Sequence, residues 1–223
     1  MNDTITRLKK HYLPLLSLVL IACVIFYIGW TNRDTITFIT QATGYISIII
    51  LSISLIIGTV NILLKIKNPI STYLRRDISI IGGILALIHS IAGLFVHLRG
   101  NNWQYFLNKT EFGYSIRTDN FGLANYTGLM SAMIIILLLI TSNDYLLKKL
   151  TSTYWKNIQR LSYLMFILAL IHCFYYRIVK ENLNLIYWIY IPLFITVLIF
   201  QMIGVYLKLS DRKITQDSGD KTM

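Results

Sequence analysis

The sequence predicts an all-α integral membrane protein, a six-helix bundle with both termini in the cytoplasm. Three observations lead there. Of the 223 residues, 55% are hydrophobic and only 14% are charged, whereas an ordinary soluble domain carries about 25% charged residues. The apolar residues gather into six runs, each long enough to cross a hydrocarbon core of about 30 Å as a helix. The 21 Lys and Arg residues fall mainly in alternate connections between those runs.

The runs are Tyr12–Trp30, Thr43–Leu64, Ile78–Leu98, Phe121–Ile140, Ile158–Ile178 and Leu185–Leu207. The first follows a basic segment (Arg7, Lys9, Lys10), as a signal peptide would. Its apolar stretch is long for that role, and Phe26, Tyr27 and Trp30 stand where small residues would mark a cleavage site. It reads as a retained first helix. With the amino terminus inside, 15 Lys and Arg lie in inner segments and 6 in outer ones, the bias of a chain with cationic cytoplasmic loops. The expected division is a cytoplasmic N-terminus over 1–11, a six-helix domain over 12–208, and a frayed cytoplasmic tail over 209–223. The predicted location is a bacterial inner or plasma membrane.

The net charge of +11 is explained by the inner loops, so nucleic acid is not an expected partner; the lipid bilayer is. The two cysteines, Cys23 and Cys173, lie inside apolar runs and form no C-x-x-C, which argues against a disulfide scaffold or a zinc site. No dinucleotide or P-loop motif occurs, and no sequence repeat is evident. The longest outer segment, Arg99–Asn120, carries five aromatic residues, as interfacial segments do.

Histidines carry the chemistry. His11 falls at the inner entry of the first helix, His89 and His97 on the third, and His172 on the fifth. Ionisable residues within a span are functional candidates because burying them in lipid is costly. His89 lies 13 residues after Arg76 and His172 lies 12 after Arg160, rises of about 20 and 18 Å at helical pitch. Both helices run outward, so the two imidazoles reach similar depth. Two imidazoles on two helices of a bundle can hold the iron of a b-type haem from its two faces; a hydrogen-bonded histidine pair in a polar core is the other reading. Gly82 and Gly93 share the His89 face and would leave room for a flat ring. His97, nearer the outer boundary, is a secondary candidate for ligation, proton transfer or substrate contact. Arg177, at the outer end of the fifth helix, would neutralise propionates.

Three stretches resemble the ferric-reductase-like transmembrane family. Tyr73-Leu-Arg-Arg-Asp through to His89 is similar to the family's third helix, where an Arg pair precedes a ligand histidine. Ile140-Thr-Ser through to Leu150 resembles its turn after helix four, and Trp155-Lys-Asn-Ile-Gln-Arg-Leu-Ser-Tyr through to His172 resembles its fifth helix. The nearest branch is that of the haem-binding membrane subunits of bacterial periplasmic methionine sulfoxide reductase systems. The resemblance implies one haem b held by His89 and His172 near the outer face. It also marks two departures. Gln159 stands where the family often has histidine, and Arg75 stands near a second ligand of the two-haem relatives. An inner haem is therefore not expected, and Gln159 is left as a contact for quinone or FMN. No flavin- or nicotinamide-binding module is present in these residues.

The function expected is a membrane cytochrome. It would take electrons from quinol or a cytoplasmic flavin reductase. It would pass them to an extracytoplasmic partner, a sulfoxide reductase subunit or ferric iron, and would not be a complete enzyme alone. The alternative is a haem-free transporter subunit or assembly scaffold.

Overall fold

The computed structural model describes residues 2–29, 34–66, 69–98, 101–181 and 183–220. Trp30, Arg33, Lys67, Arg99 and Lys221, which enter the signal-peptide and orientation readings, lie outside them. The described residues hold six helices long and apolar enough to span a membrane. An even number of crossings returns both termini to one end, called the terminal end below; the opposite end carries a small β-hairpin.

The first span is α1 (Asn2–Arg7), a π-helical turn over Leu8–Tyr12, and α2 (Leu13–Ile28). The last span has the same construction, a π turn over Ile186–Tyr190 leading into α8 (Ile191–Asp220). Both π turns end two residues before a proline, Pro14 and Pro192. Proline cannot donate a helical hydrogen bond, and its ring crowds the carbonyl four residues back. Widening by one residue just ahead of it relieves both problems. Helix thus begins at Asn2 in the first span, and the helix of the last span continues to Asp220.

Four more helices complete the set: α3 (Thr35–Leu63), α4 (Pro69–Gly93), α5 (Asn120–Thr141) and α7 (Ser152–Val179), with a short α6 (Asp144–Lys149) between the last two. Carboxylate and amide caps begin three of them. Asp34 accepts from Thr37 N, Asp119 from Gly122 N and Asn143 from Leu146 N, each satisfying an orphan donor of a first turn. Packing is pairwise: α3 lies mainly on α4, and α5 on α7, with α8 against α3 and α4 bridging to α5. Ile48, Leu55, Phe166 and Val197 form one apolar cluster, and Leu51, Ala86, Ile135 and Met165 another. The outward faces keep large apolar side chains exposed; α2 buries none of its residues. Such a surface is stable only against lipid.

Two expectations need correction. The third span stops at Gly93, not Leu98, although Leu94, Phe95 and Val96 prolong the apolar run. Bonds from each residue to the carbonyl three back, Leu94 to Ile91, Phe95 to Ala92 and Val96 to Gly93, turn the chain out of the helix. His97 therefore sits in a turn rather than on the helix. The outer segment is also more ordered than a loop. A 3-10 turn (Asn102–Tyr105) leads into antiparallel β1 (Leu107–Thr110) and β2 (Gly113–Ile116). Gly113 has φ +127°, a conformation that side-chain-bearing residues rarely adopt.

Candidate functional site: two histidines facing one cavity

His89 on α4 and His172 on α7 come together, their ring centroids 5.9 Å apart and their planes at 78°. Each ring is fixed in the same way. His89 Nδ1 lies 2.7 Å from the Thr40 carbonyl oxygen on α3, and His172 Nδ1 lies 2.7 Å from that of Ala124 on α5. A carbonyl can only accept, so each Nδ1 carries the proton and each neutral ring keeps its lone pair on Nε2.

Four residues after each accepting carbonyl stands a glycine. A Cβ on Gly44 would lie 2.6 Å from His89 Nδ1, and one on Gly128 would lie 2.7 Å from His172 Nδ1. The α3–α4 and α5–α7 pairs are thus two copies of one device: a carbonyl, a glycine one turn later, and an imidazole from the partner helix seated on both. Gly44 and Gly128 were missed in the sequence, because facing residues on different helices show no spacing signal.

The two rings line a cavity of about 380 Å³. Its walls are largely apolar, and Gly44, Ala86, Gly93, Gly128, Ala132 and Ala169 are small residues among them. Thr40 also lines it, and its hydroxyl is a buried polar atom without a hydrogen-bond partner among the described residues. At the hairpin end the cavity reaches Arg177, whose guanidinium lies 5.4 Å from the centre of the Tyr45 ring. The described residues contain no group of three or more His, Cys, Asp or Glu side chains that could hold a bare metal ion. A metal here would need donors beyond the protein's two imidazoles.

Of the expected site residues, the structure gathers His89, His172, Gly93, Arg177 and His97 around this cavity. His97 Nε2 pairs with the Tyr176 hydroxyl, and the Tyr176 ring lies beside His172, centroids 6.0 Å apart at 25°. Partial burial pushes the His97 imidazole below its usual pKa, and the Lys180 ammonium adds to the effect. The turn carrying His97 hangs on the buried Tyr105. The Tyr105 hydroxyl donates to the Gly93 carbonyl at 3.0 Å and accepts from the His97 and Leu98 amides at 3.1 and 3.3 Å.

Gly82 and Gln159 stand elsewhere. Gly82 packs against Ile50 and Leu51 of α3, which a Cβ would meet at 3.0 Å; it serves close helix contact. Gln159 donates to the Thr141 hydroxyl at 3.3 Å, next to the Trp155 indole that donates to the Thr141 carbonyl at 3.0 Å.

Sequence reading also missed a cluster at the terminal end. Asp77 is fully buried. It accepts from Arg7, from Tyr12 at 3.0 Å, and pairs with His11 Nδ1 at 2.7 Å. Asp144 joins Arg76 at 2.6 Å and Arg7 at 3.6 Å. These bonds tie the first span to α4, some 70 residues on, and to α6, 137 residues on, distances no local pattern covers.

Residues 43–170 match the family model described as ferric reductase like transmembrane component, more than half of the chain. The chain belongs to that family. The match begins on α3 just before Gly44, includes His89 and Gly128, and ends two residues before His172. No curated protein matches the chain. For a ferric-reductase-like transmembrane domain, a role in membrane electron transfer follows from the family, and the paired imidazoles are where its geometry concentrates.

Proposed function

We propose that this multi-pass membrane protein is a one-haem cytochrome b, with His89 and His172 as the axial ligands. One observation carries the reading: two neutral imidazoles of defined tautomer, 5.9 Å apart, bordering one cavity. Imidazole–metal bonds of about 2.0–2.1 Å, the zinc value, would set the ring centroids of two opposed ligands about 6 Å apart, so the spacing fits. The donor set fits as well, since a porphyrin brings the four nitrogens that the protein lacks. The largely apolar walls, with a glycine beside each imidazole, are further features that a bound group would explain.

Bound there, haem would supply one-electron redox chemistry. The protein's own residues do the rest. The Thr40 and Ala124 carbonyls orient the imidazoles and raise their basicity. Gly44 and Gly128 let the rings seat against the neighbouring helices. The apolar walls limit water, and Arg177 offers a cation to carboxylates at the hairpin end.

The same reading assigns the hairpin end to the extracytoplasmic side, from the distribution of Lys and Arg. Electrons then come from quinol or a cytoplasmic flavoprotein and leave to an extracytoplasmic acceptor. The acceptor is a sulfoxide reductase subunit or ferric iron. A bacterial inner or plasma membrane is the setting. The test is a dithionite-reduced minus air-oxidised spectrum of His172→Ala protein purified in detergent. Loss of the b-type bands supports the assignment; a variant with full haem occupancy overturns it.

A further inference from the structure

A second cavity, of about 410 Å³, opens at the hairpin end between the turn after α4, the base of the β-hairpin and the start of α5. It lies within the size range of small-ligand sites. His97 lines this cavity and the histidine cavity alike. Through Tyr176, His97 is two ring-to-ring steps of 5.9 and 6.0 Å from His172. Whatever occupies the second cavity is therefore in contact with the edge of the redox site.

The chemistry of the walls narrows the occupant. Arg117 is already spent. Its Nε donates to both Asp119 oxygens at 2.9 and 3.1 Å, its Nη2 to Asp119 at 3.0 Å, and its Nη1 to the Gln104 carbonyl at 2.9 Å. The ion pair is internally neutral, so the residues lining the cavity offer an anionic chelate or phosphate no open cation; Lys180, next to Val179, stands outside the lining and acts on His97. Phe121, Leu98 and Val179 supply apolar wall. Two polar groups remain. His97 uses its amide and Nε2 in the bonds to Tyr105 and Tyr176, neither of which takes Nδ1. The Asn120 side-chain amide makes no hydrogen bond among the described residues. Val179 ends a membrane-spanning helix and is 39% exposed, so the cavity borders the lipid-facing surface. A neutral, flat, lipid-soluble ring with hydrogen-bonding oxygens meets all of these conditions.

We propose that the second cavity binds the headgroup of a quinone or quinol, its ring oxygens paired with His97 and Asn120. This deepens the electron-transfer reading by naming a small redox partner and where it sits, and rests on that reading for its purpose but not for its test.

The test titrates the full-length protein in detergent with menadione, a quinone headgroup without a tail, by calorimetry. It compares wild type with Asn120→Leu, which removes a hydrogen-bonding group, and Val179→Trp, which fills the cavity. Saturable binding to wild type, weakened by about tenfold or more in each monodisperse variant, is expected from a lost hydrogen bond or lost volume. No saturable binding, unchanged affinity in both variants, or displacement of menadione by ferric citrate would each overturn the site. Haem is quantified on the same samples by pyridine haemochrome. Haem-free protein that still binds menadione in this way keeps the cavity assignment and removes the cytochrome. Haem-loaded protein that does not bind it does the reverse.

Discussion

Asp77 and His89 lie on the same helix, 12 residues apart, about 18 Å along its axis. Asp77 is closed: Arg7, His11 and Tyr12 converge on its two oxygens, and none of its surface is exposed. His89 is half open. One ring nitrogen is committed to a carbonyl and the other side of the ring borders a cavity shared with His172. The contrast separates two uses of a polar residue inside a membrane bundle. A group whose partners are all protein fastens helices together; a group with its tautomer fixed keeps one lone pair that a metal could take.

Removing each kind of group should give different losses. His89→Ala and His172→Ala should each cut haem content to under about a tenth of wild type, because each removes one of the two protein ligands that would hold the iron. The two losses should be equal, since the two helix pairs hold their histidines alike. His97→Ala should keep haem. Unequal losses would mean that the two copies are not equivalent; haemochrome assay of purified variants decides it.

Asp77→Ala should act on stability instead. It removes the buried carboxylate on which Arg7, His11 and Tyr12 converge, and breaking a buried ion pair costs about 3–5 kcal/mol, less what Arg7 keeps from Asp144. Thermal unfolding in detergent should show the loss, while the spectrum per folded chain stays unchanged. A spectrum altered in the folded fraction would join the two ends that are separated above.

Gly44→Ala and Gly128→Ala should have intermediate effects. Each new methyl would stand under 3 Å from an imidazole nitrogen, so the ring must shift off its carbonyl. Partial haem loss or a moved midpoint potential is expected. Gly29→Ala is the control, because it lines neither cavity and its Cβ meets only backbone oxygens at 3.8 and 3.9 Å. If the control behaves like the other two, the glycines are not positioning the ligands.

The smallest effect concerns pH. His97 titrates lower in the folded chain than its ordinary value, so below about pH 6.5 the unfolded state takes up the proton first. Its contribution is present above that pH and is lost as pH falls through the folded value. Thermal scans from pH 7.5 to 5 should show a shallower fall for His97→Gln than for wild type.

Much of this was legible in the sequence for physical reasons. Lipid forces each crossing into a helix with its polar backbone satisfied internally, so apolar length and cationic loops gave the six spans. Helical rise alone placed His89 and His172 at one depth. What escaped depends on which helices are neighbours. Gly44 and Gly128 are meaningful only opposite a histidine from another helix, and Asp77 only beside a span some 70 residues away. The end of α4 at Gly93 was hidden by the apolar residues that follow it. The β-hairpin was hidden by strands of four residues, and Pro14 and Pro192 left a signal that was not read as π turns.

The most direct measurement is the haem content of the wild-type chain, purified in detergent and assayed by pyridine haemochrome beside its reduced-minus-oxidised spectrum. One b-type haem per chain is the predicted result. No haem after expression with added haem precursor would contradict the cytochrome reading. Two per chain would contradict the single-site assignment and put a second ligand set at the terminal end, where Arg75 and Gln159 now stand.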